Sequence, residues 1–267
     1  MELDFHQARA MLEWQVELGV DEAISETPVN RYEVADKAPP IIKRAAEAKP
    51  TPVAVPVAPG VAKSVEGPDP VEIAKASARG AGDLSALKAA LGAFSHCDLK
   101  QGARNLVFAD GNPQARVMVI GEAPGRDEDI EGKPFVGRAG QLLDRMFEAI
   151  EMGRNAEGVA SIYITNIMPW RPPQNRDPQP DEIAMMLPFV QRHVELVDPD
   201  ILVLMGNISC LALLGRKGIT RMRGTWTTVL DRPALPMFHP AYLLRNPAAK
   251  REAWADLLAL QARLRAG

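Results

Sequence analysis

Short apolar runs of strand length recur along the chain, separated by longer segments in which apolar residues return every three or four positions. The runs are residues 115–121, 161–166, 200–206, 227–231 and 234–239. The segments with helical spacing are residues 141–152, a stretch near 180–195, the residues directly after 206, and 249–266. Strands that are apolar on both faces and alternate with helices are typical of a mostly parallel sheet with helices on both sides. The pattern therefore predicts an α/β fold.

The first 70 residues follow a different pattern and divide into two parts. Residues 4–24 place apolar side chains on one helical stripe, which predicts a helical segment within residues 1–35. Residues 36–70 are rich in proline, alanine and lysine, and proline at this density interrupts helices and sheet ladders. We interpret residues 36–70 as a semi-extended linker and residues 71–267 as a globular domain.

The composition limits the classes of protein to which the chain can belong. Of its 267 residues 46% are hydrophobic, and no apolar run approaches the roughly 20 residues of a membrane helix. The acidic, amphipathic N-terminus does not have the pattern of a secretion signal. Two distant cysteines, Cys97 and Cys210, exclude a disulfide framework, make a poor metal site and fit a cytoplasmic location. Because the formal charge is -3, any contact with nucleic acid must come from a local basic patch.

Polar side chains follow the ends of the predicted strands, where ligands of such sheets bind. Glu122 follows the first strand in the turn GEAPG, whose Gly121 and Gly125 allow another backbone to approach closely. Glu122 is either a solvated turn carboxylate or a group that orients water or stabilises a developing cation. Asn166 ends the second strand, and its amide is either a turn group or a reader of an amide-like heterocycle.

Two loops carry further candidates. Phe135 lies in GKPFVG and is either a packing side chain or a platform on which a planar ring stacks. His239 begins HPAYLLRNP, where the proline keeps the backbone extended, and we expect the leucines that follow to lie outside a helix. Leu243 is then a wedge for a base stack and Arg245 a phosphate contact, unless the leucines only anchor the final helix.

Basic residues concentrate in the loops, some of which leave the sheet at the edge that carries the candidates above. They are Arg171, Arg176, Arg216, Lys217, Arg221, Arg223, Arg245, Lys250 and Arg251. Any one of them alone is more commonly a solvated surface residue. Together they predict a rim that contacts phosphates on a protein of net negative charge.

Three stretches together resemble the uracil-DNA glycosylase superfamily, in particular its iron–sulfur branch, family 4. They are GEAPGRDEDIEGKPFVGRAGQLLD (121–144), ITN with RPPQNRDP (164–178), and FHPAYLLRNP (238–247). The resemblance extends from about Phe94 to the final helix. It implies a central, mostly parallel sheet between two layers of helices. The N-terminal helical extension and the linker lie outside the resemblance. The resemblance also implies an enzyme that flips uracil out of DNA and hydrolyses its N-glycosidic bond.

The resemblance assigns roles to residues at these positions. It implies that Glu122 positions the attacking water, that Phe135 stacks on uracil, and that Asn166 reads the edge of the base. His239 would hydrogen-bond the uracil O2 as charge develops there, and Leu243 would fill the gap left by the flipped base. Gly121 and Ala123 would complete the uracil pocket, and Arg171, Arg176 and Arg245 would contact DNA. We expect single- or double-stranded uracil DNA as substrate, abasic-site DNA as product, and a monomer that needs no metal or cofactor.

The sequence departs from the family in two places. Family 4 members hold an iron–sulfur cluster with four cysteines, and at these positions the chain has Phe94, Cys97, Trp170 and Met186. Because such a cluster needs thiolates, we predict that it is absent and that the three apolar side chains fill its volume. A related branch bonds covalently to the sugar through a histidine in the loop after the second strand. The loop here, residues 167–178, has no histidine, which predicts multiple turnover, and we interpret His193 as structural.

Two other functions are compatible with parts of this pattern. A non-catalytic or slow-turnover protein that binds uracil or abasic DNA would keep the aromatic platform and the wedge without needing Glu122. A nucleotide or flavin enzyme would need a glycine-rich phosphate loop at a helix N-terminus, and no GxGxxG or GxxxxGK[ST] motif follows a predicted strand. The carboxylates of the 121–131 turn would also repel phosphate, so the glycosylase is the preferred hypothesis.

Overall fold

The structure, a computed structural model, describes residues 69–266. Six strands in this part of the chain form one sheet: β1 Asp110–Gly111, β2 Val117–Gly121, β3 Ile162–Asn166, β4 Ile201–Met205, β5 Thr227–Val229 and β6 Arg232–Met237. The same part contains ten α-helices: α1 Pro70–Arg79, α2 Leu84–Ala93, α3 Leu99–Gly102, α4 Arg126–Glu131, α5 Arg138–Glu148, α6 Pro180–Val197, α7 Asn207–Leu214, α8 Ile219–Met222, α9 Pro240–Arg245 and α10 Lys250–Ala266. Short 3-10 turns lie at Gly158–Ala160, Pro173–Asn175 and Pro247–Ala249.

The sheet has the strand order β1-β3-β2-β4-β6-β5, in which the four inner strands are parallel and the two edge strands antiparallel. In the parallel register Gly121 lies beside Asn166, which brings the ends of β2 and β3 together. Every residue of β2, β3 and β4 is buried, as expected of strands with helices on both sides. This confirms the predicted α/β fold with a central, mostly parallel sheet.

The longer helices bury apolar side chains in the core. In α5 the buried stripe consists of Leu143, Met146 and Phe147, while Arg145 and Glu148 between and beside them are exposed. Helix α6 packs with α1 and α2, and α5 packs with α9 and α10, so the helices form two groups. Within residues 69–266 we find no helix with the length and apolar character needed to cross a bilayer.

The first described helix, α1, starts one residue before the predicted boundary at residue 71. Pro70 is the first residue of α1, and the Asp69 side chain accepts a hydrogen bond from the Val71 backbone N–H at 2.9 Å. An aspartate followed by proline is a helix start signal, because the aspartate caps a free N–H and proline fits the first helical turn. The predicted helical segment 1–35 and the rest of the linker lie outside the described residues.

The expectation that the leucines after His239 lie outside a helix is wrong. Residues Pro240–Arg245 form α9, with His239 as its N-cap and Pro240 as its first residue. The proline that keeps His239 extended (φ -64°, ψ 137°) is itself well suited to the first position of a helix. The same dipeptide therefore ends the strand segment and starts the helix.

Candidate functional site

A cavity of about 510 Å³ lies beyond the carboxyl ends of the parallel strands. Its walls include Glu122 after β2, Asn166 at the end of β3, Gly206 after β4 and His239 after β6. The volume is within the usual range of small-molecule sites, and the position is where open α/β sheets bind their ligands. Ala123, Phe135, Arg176 and Arg245 also line it, so most of the predicted site residues share one cavity.

Glu122 is held at the N-terminus of α7. Its Oε1 accepts a hydrogen bond from the Ile208 backbone N–H at 2.9 Å. A Cβ at Gly206, which has a φ of +98°, would lie 2.3 Å from the same oxygen, so both the backbone and the space at position 206 require glycine. Burial raises the pKa of Glu122, and the hydrogen bond from Ile208 opposes part of that rise. The Glu122 carboxylate is therefore held in one position at the cavity wall, where it is only partly hydrated.

His239 presents a single proton donor to the cavity. Its Nδ1 accepts a hydrogen bond from the Ala241 backbone N–H at 3.2 Å, so the proton of a neutral ring is carried by Nε2. Burial, with a further contribution from the positive charge of Arg245, lowers the pKa of His239 to about 4. The ring is therefore neutral near pH 7 and offers Nε2–H as a hydrogen-bond donor.

Phe135 and Asn166 meet over Gly121. A Cβ at Gly121 would lie 2.3 Å from the Asn166 Oδ1 and 2.5 Å from the Phe135 ring, so only glycine fits beneath them. The Phe135 ring stacks on the His239 ring, with centroids 5.3 Å apart. Oδ1 of Asn166 is buried and has no hydrogen-bond partner among the described residues. A buried acceptor without a partner is costly, and a ligand N–H in the cavity would satisfy it.

Two carboxylates of the 121–131 turn, Glu128 and Asp129, hold neighbouring loops in place by accepting backbone hydrogen bonds. Glu128 accepts hydrogen bonds from the backbone N–H groups of Gly125, Val136 and Gly137 at 2.9–3.1 Å, which ties the turn after β2 to the Phe135 loop. Asp129 accepts from two further backbone N–H groups, those of residues 104 and 105. Sequence reasoning missed these roles; a glutamate three residues after a helix N-cap was the available signal.

The predicted basic residues divide into those at the cavity and those away from it. Arg245 and Arg176 line the cavity, but Arg176 makes a two-armed ion pair with Glu182, at 2.6 and 2.9 Å. This ion pair lowers the pKa of Glu182. Arg171 is outside the cavity wall and donates to Asn175. Of the three arginines, Arg245 is the cavity-lining one that has no carboxylate partner within the described part of the chain.

The structure does not place Leu243 at the DNA-facing surface, which corrects that expectation. Leu243 is 1% exposed and is part of the apolar core, on a helix that packs against α5. The neighbouring Leu244 is 36% exposed. The reason is helix phase: Ala241, Tyr242 and Arg245 share the face of α9 toward the cavity, and Leu243 lies on the opposite, buried side.

The residues at the family's cluster positions do not fit an iron–sulfur cluster. Phe94, Trp170 and Met186 offer no thiolate, and they are 4%, 2% and 1% exposed. The Phe94 ring packs edge-on against Phe189, with centroids 5.4 Å apart. Cys97 is also buried, which raises the pKa of its thiol and disfavours the thiolate that metals require. In the described region no group of three or more potential metal-binding side chains comes together.

Comparison with known proteins agrees with this geometry. The family model described as "Uracil DNA glycosylase superfamily" matches residues 108–258. The chain belongs to this superfamily. The matched range of the uracil DNA glycosylase superfamily contains every residue of the candidate site, from Glu122 to Arg245, and leaves α1–α3 outside.

Curated relatives in the superfamily are named type-4 uracil-DNA glycosylases. The chain is 40% identical over 164 residues to the one from Saccharolobus solfataricus, which covers 58% of this chain and 74% of that protein. It is 38% identical over 164 residues to the Sulfurisphaera tokodaii protein, covering 58% and 73%. It is 40% identical over 153 residues to the Thermotoga maritima protein, covering 56% and 77%.

Proposed function

We propose that this member of the superfamily is a uracil-DNA glycosylase, which releases uracil from DNA by hydrolysis and leaves an abasic site. The observation that carries the proposal is the Asn166 Oδ1 acceptor, buried without a partner in a cavity that also holds Glu122 and His239. Family membership and the names of the curated relatives support the same activity. In this proposal uracil-containing DNA is the substrate, and the enzyme acts as a monomer in the cytoplasm.

Uracil is recognised by its edge and its face. Its N3–H satisfies the Asn166 Oδ1, which otherwise stays unpartnered. The ring lies against Phe135, whose own ring is fixed over Gly121. A base can reach these groups only after it leaves the DNA stack, so the nucleotide is flipped into the cavity.

The N-glycosidic bond breaks with negative charge on the departing uracil and positive charge on the sugar. The His239 Nε2–H donates to the uracil oxygen where negative charge develops, and its neutral state avoids placing a full charge in the empty cavity. The Glu122 carboxylate stabilises the oxocarbenium-like sugar and orients the water that attacks it. No step passes through an iron–sulfur cluster, because the residues at positions 94, 170 and 186 do not fit one.

DNA is held at the cavity mouth by Arg245, the last residue of α9, and by Arg176 and Arg171 in the loop after β3. We assign the wedge that fills the vacated base position to Leu244. Its support is the contrast in exposure, 36% for Leu244 and 1% for Leu243, on a helix that also carries cavity-lining residues.

A labelled oligonucleotide with one uracil tests the proposal, with alkali added to cleave abasic sites. The wild type should release uracil over many turnovers, and Glu122→Ala should lose at least about a hundredfold in kcat. Glu131→Ala is the matched control, because Glu131 belongs to the same turn but is exposed. Tight binding of uracil DNA without any cleavage would favour the non-catalytic binding protein instead.

A further inference from the structure

We propose that Arg154 is a positioning residue for the uracil pocket and acts through Phe135. It lies in the turn between α5 and β3, away from the cavity wall, and none of the recognised motifs includes it. The inference rests on the proposed function, in which Phe135 stacks on the base.

Arg154 forms four hydrogen bonds that join three parts of the fold. Its Nη2 donates to the Phe135 carbonyl at 2.8 Å and its Nη1 to the Pro134 carbonyl at 3.0 Å. Its Nε donates to Asp144 on α5 at 2.9 Å, and Nη1 also donates to Asp110 on β1 at 3.0 Å. The side chain is only 9% exposed, so solvent competes little for these bonds. The Arg154 guanidinium therefore connects the Phe135 loop to α5 and to the edge strand β1.

The Phe135 backbone has to be held by hydrogen bonds because its conformation is unfavourable. Its φ of +56° lies in the left-handed region, which a bulky side chain rarely adopts. Its carbonyl faces α5 so closely that a Cβ at Gly140 would lie 1.8 Å from the oxygen. Donors from Arg154 satisfy this carbonyl and that of Pro134, and both residues are buried. Without them the loop loses two of the hydrogen bonds that hold this conformation against relaxation to a negative φ, and keeps those that Val136 and Gly137 donate to Glu128.

The position of the ring follows from the position of this backbone. The Phe135 ring has Gly121 on one side and stacks on His239, and both contacts belong to the reaction site. A shift of the loop by an ångström would move the stacking surface relative to Asn166 and the Nε2 donor of His239. Misplacement on this scale costs up to about a hundredfold in rate.

A lysine cannot replace Arg154 in this role. The partners are two carbonyls and two carboxylates that lie around one planar group, and an ammonium on a flexible stem does not match that arrangement. We therefore expect Arg154→Lys to behave much like Arg154→Met, although it retains the charge.

A double-mutant cycle tests whether Arg154 acts through Phe135. Uracil release should be measured for the wild type, Arg154→Met, Phe135→Leu and the double variant. We expect Arg154→Met to lower kcat/KM by about ten- to a hundredfold and to weaken inhibition by free uracil. In the Phe135→Leu background the same change should have almost no further effect, because the stacking surface is already lost. Additive losses would overturn the proposal.

Arg116→Met is the matched control for the cycle. Arg116 also pairs with a carboxylate, Asp200, and donates to a carbonyl, but it lies at the amino ends of the strands, opposite the cavity. We expect this variant to retain kcat/KM within about threefold even if its melting temperature falls. A comparable loss of kcat/KM in Arg116→Met would mean that general destabilisation explains the Arg154 result, which would overturn the proposal.

A second readout does not depend on activity. The protein has seven phenylalanines, so fluorine NMR of protein labelled with 4-fluorophenylalanine gives a small set of signals. Phe135→Leu identifies the Phe135 signal by its loss. This signal should shift or broaden in Arg154→Met and stay in place in Arg116→Met. An unchanged signal in folded Arg154→Met overturns the positioning role. A wild type that never releases uracil contradicts the proposed function instead. In that case the fluorine signal alone decides whether Arg154 positions Phe135.

Discussion

The pKa values of two titratable groups of the cavity, Glu122 and His239, are shifted in opposite directions by the same cause. Burial disfavours charge, so it raises the pKa of the Glu122 carboxyl and lowers the pKa of His239 to about 4. For the proposed chemistry the histidine shift is useful, since a neutral ring donates without adding charge to the pocket. The shift of Glu122 is a cost, because the carboxylate has to be charged to stabilise the sugar cation.

The acid limb of the pH profile should therefore belong to Glu122. We expect kcat/KM for uracil release to fall as pH drops through a value above the ordinary 4.5 of a glutamate, while His239 stays neutral down to about pH 4. The check is a pH series with the wild type and Glu122→Gln. The residual activity of Glu122→Gln should lack this limb, and a limb with the same midpoint in both proteins would contradict the assignment.

The same shift predicts that Glu122→Gln stabilises the protein at neutral pH. The folded-state pKa is raised, so the stabilising contribution of protonated Glu122 is complete below its unfolded value of 4.5 and is lost as pH rises through the folded value. Glutamine has no such loss. Thermal denaturation should give a higher melting temperature for Glu122→Gln at about pH 7.5, and the difference should disappear at about pH 4.

For that experiment Glu131→Gln is the control, because it makes the same change of residue type at an exposed position of the same turn. A Glu122→Gln protein that melts below the wild type at neutral pH would show that the hydrogen bond which the carboxylate accepts from the Ile208 N–H outweighs the cost of the buried charge.

At the scale of single elements, the phase of α9 decides which of two adjacent leucines faces outward. Leu243 is in the core and Leu244 is 36% exposed. The sequence LLR contains both, and no local pattern distinguishes them once the segment is taken for a loop. The helix start at Pro240 fixes the direction of every side chain after it. Because the segment was predicted to be a loop, the wrong leucine was predicted to be exposed.

Alanine substitutions of Leu243 and Leu244 should have different effects, the first on stability and the second on activity. Leu243→Ala removes a buried side chain and should lower the free energy of unfolding by about 2–5 kcal/mol. Leu244→Ala should change stability by less than about 0.5 kcal/mol. It should lower uracil release from double-stranded DNA more than from single-stranded DNA, because only the duplex leaves a gap to fill. Equal losses on both substrates would contradict the wedge assignment.

At the scale of the whole molecule, buried apolar side chains occupy the positions at which family 4 members carry the cysteines of an iron–sulfur cluster. Phe94 is at the end of α2, Trp170 in the loop after β3 and Met186 in α6, and all three are buried. These side chains join parts of the chain that are distant in sequence. The prediction that the cluster is absent remains a prediction, and the poor fit of these residues supports it.

Purified protein should contain no stoichiometric iron and show no absorbance shoulder near about 400 nm. Trp170→Ala should lower the free energy of unfolding by about 3–5 kcal/mol, since it empties a buried site. Trp254→Ala is the control, because Trp254 is 43% exposed and its loss should cost little. A brown protein with bound iron would refute the prediction, whatever the stability of the variants.

Much of this molecule could be predicted from the sequence because the relevant physics is local. Apolar runs of strand length specified the inner strands, and helices between them specified parallel pairing. Because parallel strands end at the same edge of the sheet, the polar residues at those ends, Glu122, Asn166 and His239, lie close together. The short edge strand β1, two residues long, has no such pattern and was missed.

What only the tertiary structure decided is how those groups are held. The Phe135 carbonyl meets Arg154 across 19 positions, and the Asp110 carboxylate meets it across 44. The exposure of Leu244 depends on the rotation of α9, and the unpartnered Asn166 Oδ1 depends on Gly121 beside it. Periodicity reports which face of an element is buried, but hydrogen bonds between distant segments depend on distances that exist only after the chain has packed.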